Sequence, residues 1–490
     1  MSRFFRDRSG LAFAALLVVG LAVLGAVLAV VLTRGGEQAA PPPTTTSTST
    51  TTSTTTTATS TTTPATTSTT TPATTAAPST TAPAPPAPAG PLQAASVGPF
   101  SATVRWTGPN PPARVGYGLA DLGPTIWAPM TNGEAVLSGL TFSTAYRAWA
   151  GDATLDFTTA PPPASPAAAI GGGAILLDGQ PFFPLLVLTE CKHGYDQNLA
   201  AGITLFVENQ CGGIAAQTAA VGGKALSLTS ADEAGIGGNG VIGWYYPDEA
   251  DLKRMTGDTL PSFPTLAATA RLRVLTLSNH VYSRTEPLAE GRGVYPGLIE
   301  KADVVGLDLY PLQEFCSASW LPDVAAAQRE LVGLAGGRPT FQWIEAETWR
   351  CHEPDLQVTP ATVQTESWLA VAGGARGLGF FPAGWDPSVT PGIEAVARMV
   401  AALGAALAAP DAPVSASGPV VAGGRALNGA LYVVAVNPTH AALRATLTAP
   451  GLNGRTLRAI GEGRSVGAAK DVFHDDFDPL AVHLYVAAPG

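Results

Sequence analysis

The chain has 490 residues, of which 13% are charged and 46% hydrophobic, and 27 Lys and Arg against 37 Asp and Glu leave a net charge of −10. That balance argues against a basic nucleic-acid-binding surface, and four cysteines in this length cannot build a disulfide-dense mini-fold. One strongly apolar segment and one uncharged polar segment stand apart from the rest, which excludes uniform disorder and a polytopic membrane protein.

Arg3, Arg6 and Arg8 precede an uninterrupted apolar run from Leu11 to Leu32. Such a run makes about 33 Å of helix at about 1.5 Å per residue, enough to cross a hydrocarbon core of about 30 Å. The positive charge ahead of it predicts a cytoplasmic tail over 1–10 and a transmembrane helix over 11–33, with everything past Arg34 outside the cell membrane. A cleaved signal peptide is the alternative, but its apolar region runs to about 7–15 residues. Residues 34–91 form a linker, almost wholly Thr, Ser, Pro and Ala from residue 40 onward. It has too little apolar surface to offset the entropy of ordering, so it reads as a disordered, extended stalk of the kind that carries O-linked sugars. Its role would be to hold a folded head away from the membrane, or to lead it through a cell wall.

From 92 to 160 short alternating strands replace the polar tract, for example Ala102-Thr103-Val104-Arg105-Trp106 and Tyr146-Arg147-Ala148-Trp149. Turn residues at about ten-residue spacing predict a small all-β sandwich. Leu137-Ser138-Gly139-Leu140 followed by Tyr146 resembles the fibronectin type III pattern, in which a tyrosine hydroxyl closes a corner. The resemblance implies a spacer or binding module. Trp127 and Trp149 read as core or interface packing ahead of sugar stacking.

From 170 to 410 near-continuous apolar runs alternate with Ala- and Leu-rich stretches. The runs are 183–188, 203–207, 225–228, 241–245, 273–277, 304–309, 340–344 and 377–381. Buried parallel strands have this character, and eight strand–helix units in about 240 residues predict an α/β fold of the (β/α)8 TIM-barrel type. An open doubly wound sheet would want a Gly-rich phosphate loop after its first strand, where Thr189-Glu190-Cys191-Lys192 stands instead.

A barrel places its chemistry at the C-terminal strand ends. Those ends carry Glu190, Glu208-Asn209, Asp232-Glu233, Asp248-Glu249, Asn279-His280, Asp308 with Tyr310, Glu345 with Glu347, and Trp385. Exposed strand ends collect polar residues anyway, but acids and aromatics recurring together ask for more than exposure. Trp244-Tyr245-Tyr246-Pro247-Asp248-Glu249 and Phe341-Gln342-Trp343-Ile344-Glu345, with the lead-in Asp178-Gly179-Gln180-Pro181 and with Asp308-Leu309-Tyr310-Pro311, resemble the barrel glycoside hydrolase superfamily. The resemblance implies an acid/base carboxylate after strand four, Glu249, and a nucleophile after strand seven, Glu345, with Glu347 as its competitor. Asp248 stands where the superfamily usually has Asn. Two carboxylates in unlike environments are what glycoside hydrolysis needs, and the charge of Asp248 beside Glu249 would suit the latter to the acid role.

Asp308 and Tyr310 are supporting candidates in this reading. Glu190, Asn209, Trp244, Tyr246, His280, Trp343 and Trp385 are substrate-binding candidates, the aromatics as platforms under sugar rings or as barrel-core packing. Six histidines without His-x-His, His-Glu-x-x-His or Cys-x-x-Cys spacing give no metal motif, and no cofactor is expected. Neighbouring strand ends predict the bridges Cys191–Cys211 and Cys316–Cys351.

Residues 411–490 alternate again, as in 430–436 and 482–486, and predict a second all-β sandwich. Asn437-Pro438-Thr439 and Phe473-His474-Asp475-Asp476-Phe477 resemble the β domain that often follows glycoside hydrolase barrels. The expectation is a membrane-anchored, extracytoplasmic glycoside hydrolase of the retaining type, acting on a polysaccharide or cell-surface glycan. The competing readings are a non-catalytic glycan-binding protein and a wall-anchored scaffold.

Overall fold

The computed structural model describes residues 90–190, 194–209, 212–230, 240–261 and 271–490. The expected transmembrane helix, nearly all of the linker and the expected Cys191–Cys211 bridge lie outside the described residues. The rest is built around a closed barrel.

Its strands are β1 (Leu185–Glu190), β2 (Leu205–Asn209), β3 (Leu226–Ser230), β4 (Val241–Tyr245), β5 (Leu272–Leu277), β6 (Val304–Asp308), β7 (Thr340–Glu345) and β8 (Leu378–Phe381). They are parallel and paired in chain order, and β8 closes on β1 through Leu185–Leu378, Leu186–Gly379 and Val187–Phe380. All eight expected runs are strands, because side chains buried on both faces leave an unbroken apolar signal. The interior is packed with Leu188, Val207, Leu228, Ile242, Val274, Phe341 and Trp343. Two glycines make room for its largest rings. A Cβ on Gly306 would lie 2.2 Å from the Phe341 ring, and one on Gly379 would lie 2.1 Å from the Trp343 ring. Each such ring removes about 150–250 Å² from water, or about 4–6 kcal/mol at about 25 cal/mol per Å².

Described helices follow six of the strands: α1 (Tyr195–Ala200), α2 (Gly213–Val221), α3 (Tyr295–Glu300), α4 (Leu321–Leu334), α5 (Pro360–Gly373) and α6 (Thr390–Leu407). Helix α5 starts on a capping box, Thr359 with Thr362, has Pro360 at its first position, and stops at Gly374 with φ of 111°. Among the described residues one stretch, Pro387–Leu407, is long and apolar enough to cross a bilayer, but it contains α6, one face of which is buried inside the fold.

A three-stranded antiparallel sheet not expected from the sequence precedes β1: Ala168–Gly171, Ala174–Leu177 and Gln180–Phe182. Its hairpins turn on Gly172-Gly173 and Asp178-Gly179, all four residues with positive φ, as two-residue hairpin loops require. Ile175, Leu177 and Phe182 join the barrel-interior cluster, together with Phe100 and Phe142 from the preceding module. The barrel is therefore closed with apolar side chains at the end where its strands begin.

The segment from Leu92 to Thr158 forms two antiparallel sheets. One is ordered Leu92–Val97, Ser101–Trp106, Glu134–Ser138, and the other Ile126–Pro129, Arg114–Gly118, Ala145–Ala150, Ala153–Thr158. The Thr141 N–H donates to the Tyr146 hydroxyl at 2.9 Å, and that hydroxyl donates onward to the Ala401 carbonyl of α6 at 2.9 Å. Thr125 donates to the Ala402 carbonyl, and a Cβ on Gly139 would lie 2.6 Å from the backbone of Ala405. The module is thus seated directly on a barrel helix.

The C-terminal segment pairs a six-stranded sheet with a three-stranded one over a shared apolar core that includes Val433, Leu447, Leu457, Phe473 and Tyr485. It rests on α5, where Thr365 donates to the Leu480 carbonyl and Arg425 donates to the Val371 carbonyl. Arg458 also reaches the carbonyls of Leu122 and Pro124 in the N-terminal module at 2.7 and 2.6 Å.

The expected Cys316–Cys351 disulfide is present, across 35 residues of sequence. It joins the loop after β6 to the loop after β7. Replacing both cysteines by Ser is expected to lower the unfolding free energy by about 3–4 kcal/mol, from the entropy of a loop of this length; urea unfolding measures it.

Candidate active site

The site forms where β4, β5, β6, β7 and β8 end. Strand β4 runs into Pro247, and Glu249 then adopts φ of 45°. This left-handed residue reverses the chain at once, so the consecutive side chains of Asp248 and Glu249 reach one place instead of opposite faces. Asp308, the last residue of β6, meets them there. One carboxylate oxygen from each of Asp248, Glu249 and Asp308 lies within 4.8 Å of the others. Oxygen ligands so placed suit a hard divalent cation by chemistry, and they equally suit a set of carboxyls that share protons.

Each carboxyl has its own surroundings. The Tyr245 hydroxyl lies 2.6 Å from Asp248 Oδ1 and 2.6 Å from Thr276 Oγ1. With one proton to give, it donates to the carboxylate, while Thr276 supplies its own hydroxyl proton and accepts from Trp343 Nε1 at 3.0 Å. Burial raises Asp248 above its ordinary value, but the Tyr245 bond, the Lys253 charge and the Glu249 N–H oppose the rise. Asp308 accepts from Tyr310 at 2.8 Å and is 4% exposed. Burial first, then the charges of Asp248 and Glu249, hold it well above the usual carboxylate range. Glu249 is the more open to water. Burial, then the charges of Asp248, Asp251 and Glu314, push it up to about 7. Three carboxyls this close cannot all be ionised at neutral pH. Glu249 exchanges its proton near neutrality.

Glu314 adds a fourth acid, accepting from Asn279 Nδ2 and raised chiefly by burial. Tyr310, Trp349 and Phe381 pack edge and face together, with ring centroids 5.4, 6.0 and 5.8 Å apart. Trp349 is 37% exposed and offers an open ring on the same side of the barrel.

The expected nucleophile has surroundings unlike those of Glu249. Glu345 is 0% exposed and outside the converging group. Its Oε1 accepts from the Leu312 N–H at 2.8 Å and its Oε2 from the Gln313 N–H at 2.9 Å. Glu366 of α5, also fully buried, is its neighbouring acid. The amides capture the carboxylate under the loop after β6. Glu347 is half-buried in the loop after β7.

The expected aromatic platforms are also corrected. Trp343 fills the barrel interior opposite Gly379. Tyr246 packs in the outer layer, with its hydroxyl donating to the Lys301 carbonyl at 3.2 Å. Trp385 is 2% exposed and bonds Thr390 Oγ1 at 3.1 Å. Trp244 is buried as well. His280 is tied through Nδ1 to the Glu286 carbonyl at 2.6 Å. Glu190 and Asn209 sit side by side as register partners at the ends of β1 and β2; their side chains lie outside what the structure describes. Sequence reading missed Trp349, Glu314 and Glu366. The one acid of α5, directly ahead of the run Ser367-Trp368-Leu369-Ala370-Val371-Ala372, was a readable signal for the last.

The buried pair gives stability a pH dependence. Burial pushes Glu345 from its ordinary 4.5 up to about 7, and burial with the Glu345 charge holds Glu366 well above the carboxylate range. The unfolded chain therefore gives up these protons first. The stabilisation is fully present below about pH 4.5 and is lost as pH rises through about 7. Urea unfolding at pH 5 and pH 8 is expected to show the lower stability at pH 8.

The chain matches no family model and no curated protein. Among solved structures it is similar to a GH27 β-L-arabinopyranosidase from Geobacillus stearothermophilus, at 13% identity and a TM-score of 0.32, covering 45% of this chain and 51% of that one. It is also similar to a GH30 endoxylanase from Clostridium papyrosolvens C71, at 10% identity and a TM-score of 0.37, covering 62% and 95%. A third is a putative alpha-galactosidase from Bacteroides fragilis NCTC 9343, at 10% identity and a TM-score of 0.43, covering 81% and 97%. The chain spans about half the length of the arabinopyranosidase. All three carry glycosidase names.

Proposed function

We propose that the protein is a glycoside hydrolase, cleaving an O-glycosidic bond of a polysaccharide or cell-surface glycan without a cofactor. The observation that carries this reading is the meeting of Asp248, Glu249 and Asp308 at the strand ends. Glu249 has the proton affinity of a general acid at neutral pH, and Asp248, whose carboxylate accepts from the Tyr245 hydroxyl, takes the role of the partner that attacks or stabilises an oxocarbenium-like centre. Oxygens under 4.8 Å apart stand nearer the about 5–5.5 Å of retaining enzymes than the about 6.5–9.5 Å of inverting ones. Trp349 supplies an apolar ring of the kind sugars stack on. Nitrophenyl glycosides of varied sugars, with reducing-end release from polysaccharides, test the reading; no turnover of any of them would remove it. The position of Glu345 away from the converging acids favours a second reading, a glycan-binding protein that releases no product.

The apolar run over 11–33 supports a single-pass anchor with the folded part outside the cell, and membrane fractionation tests it. The strand order of the segment over 92–160 and the Thr141–Tyr146 bond support the fibronectin type III-like reading, and the paired sheets over 411–490 support a C-terminal sandwich.

A further inference from the structure

The glycosidase reading leaves Glu345 and Glu366 without a task, although both are fully buried. Two neighbouring buried carboxyls cannot both be ionised. Glu345 receives two backbone N–H bonds, which favour its anion, while neither oxygen of Glu366 accepts from a described donor, so the proton belongs on Glu366. The amides that Glu345 holds, Leu312 and Gln313, belong to the loop that carries Asp308, Tyr310 and Glu314. The Gln313 side chain extends the connection. Its Oε1 accepts from the N–H groups of Trp349, Arg350 and Cys351 at 2.9, 2.8 and 3.1 Å, and its Nε2 donates to the carbonyls of Cys351 and Leu356 at 3.2 and 2.8 Å. A continuous set of bonds thus leads from the end of β7 to the loop that follows Asp308, and on to the loop bearing Trp349.

We propose that Glu345 is a positioning residue, held as an anion by the proton of Glu366, which clamps the two loops that set Asp308 and Trp349 at the barrel mouth. The proposal rests on the glycosidase reading of the same site. It differs from a nucleophile at this position in what each variant does.

In Glu345→Gln one loop amide meets an NH2 group in place of an acceptor. Hydrogen exchange at Leu312 and Gln313 in the full chain is expected to quicken at least tenfold. Turnover of a nitrophenyl glycoside should fall about 10- to 100-fold in kcat, with KM changed less than threefold. Glu366→Leu, which removes the proton-bearing group, should do the same, and Glu366→Gln, which keeps an N–H donor, should recover most of the loss. Added formate or azide should not restore Glu345→Ala. Restoration by either anion would make Glu345 the nucleophile and overturn the proposal, as would unchanged exchange at Leu312 and Gln313 in Glu345→Gln. If the wild-type chain turns over no glycoside, the functional reading fails, while the exchange rates still decide whether the clamp exists.

Discussion

Glu249→Gln is expected to lower kcat/KM on an unactivated glycoside by about 10²- to 10⁴-fold, the range for loss of a positioned general acid. The loss should depend on the leaving group. An alkyl glycoside needs a proton on its departing oxygen, whereas a nitrophenolate leaves without one, so the variant should keep most of its rate on nitrophenyl substrates. The pH profile gives a second check. Glu249 is pushed up to about 7, chiefly by burial, so wild-type kcat/KM should fall on the alkaline side of about pH 7 as the acid loses its proton. That limb should vanish in Glu249→Gln. An equal loss on both substrate types would take the acid role away from Glu249.

Asp248→Asn is expected to have the larger effect, because it removes the carboxylate to which the proposed mechanism gives the anionic role. The amide keeps the bond to Tyr245 and close to the same volume, so the fold should stand. Turnover should drop on nitrophenyl and alkyl substrates alike, since both need the charge that faces the anomeric carbon. In Asp248→Ala, added azide should restore part of the rate and yield a glycosyl azide. If azide does nothing for Asp248→Ala and instead restores Asp308→Ala, the anionic role belongs to Asp308.

The barrel was legible in the sequence because its strands are buried on both faces and leave unbroken apolar runs between turn residues. The ring of acids at the strand ends was legible for the same reason, since it interrupts those runs at regular places. Which acids converge was not. At Glu249 the outcome depends on a left-handed backbone turn in a residue that does not need glycine to make it. At Glu345 it depends on two amides from a neighbouring loop, a contact across more than thirty residues of chain. The aromatics misled in an instructive way. Trp343 stands one residue pair before a strand exit, where a platform would be, but the space left by Gly379 on the adjacent strand draws its ring inward. The exposed ring belongs to Trp349, in a loop whose course is set by Gln313 and the Cys316–Cys351 bridge. The small sheet before β1 was marked by Gly172-Gly173 and Asp178-Gly179, a paired-turn signal that short strands made easy to overlook.

The seating of the first β module on α6, with Phe100 and Phe142 entering the barrel's apolar interior cluster, bears on how the molecule can be divided. Proline-rich joints in the sequence invite cutting near residue 165, as though a catalytic core could be lifted free. Such a cut would strip aromatic side chains from the floor of the barrel and leave a wet, greasy opening in their place. Tyr146 would also abandon the carbonyl of Ala401. The module is therefore part of the barrel's foundation, joined directly to its last helix.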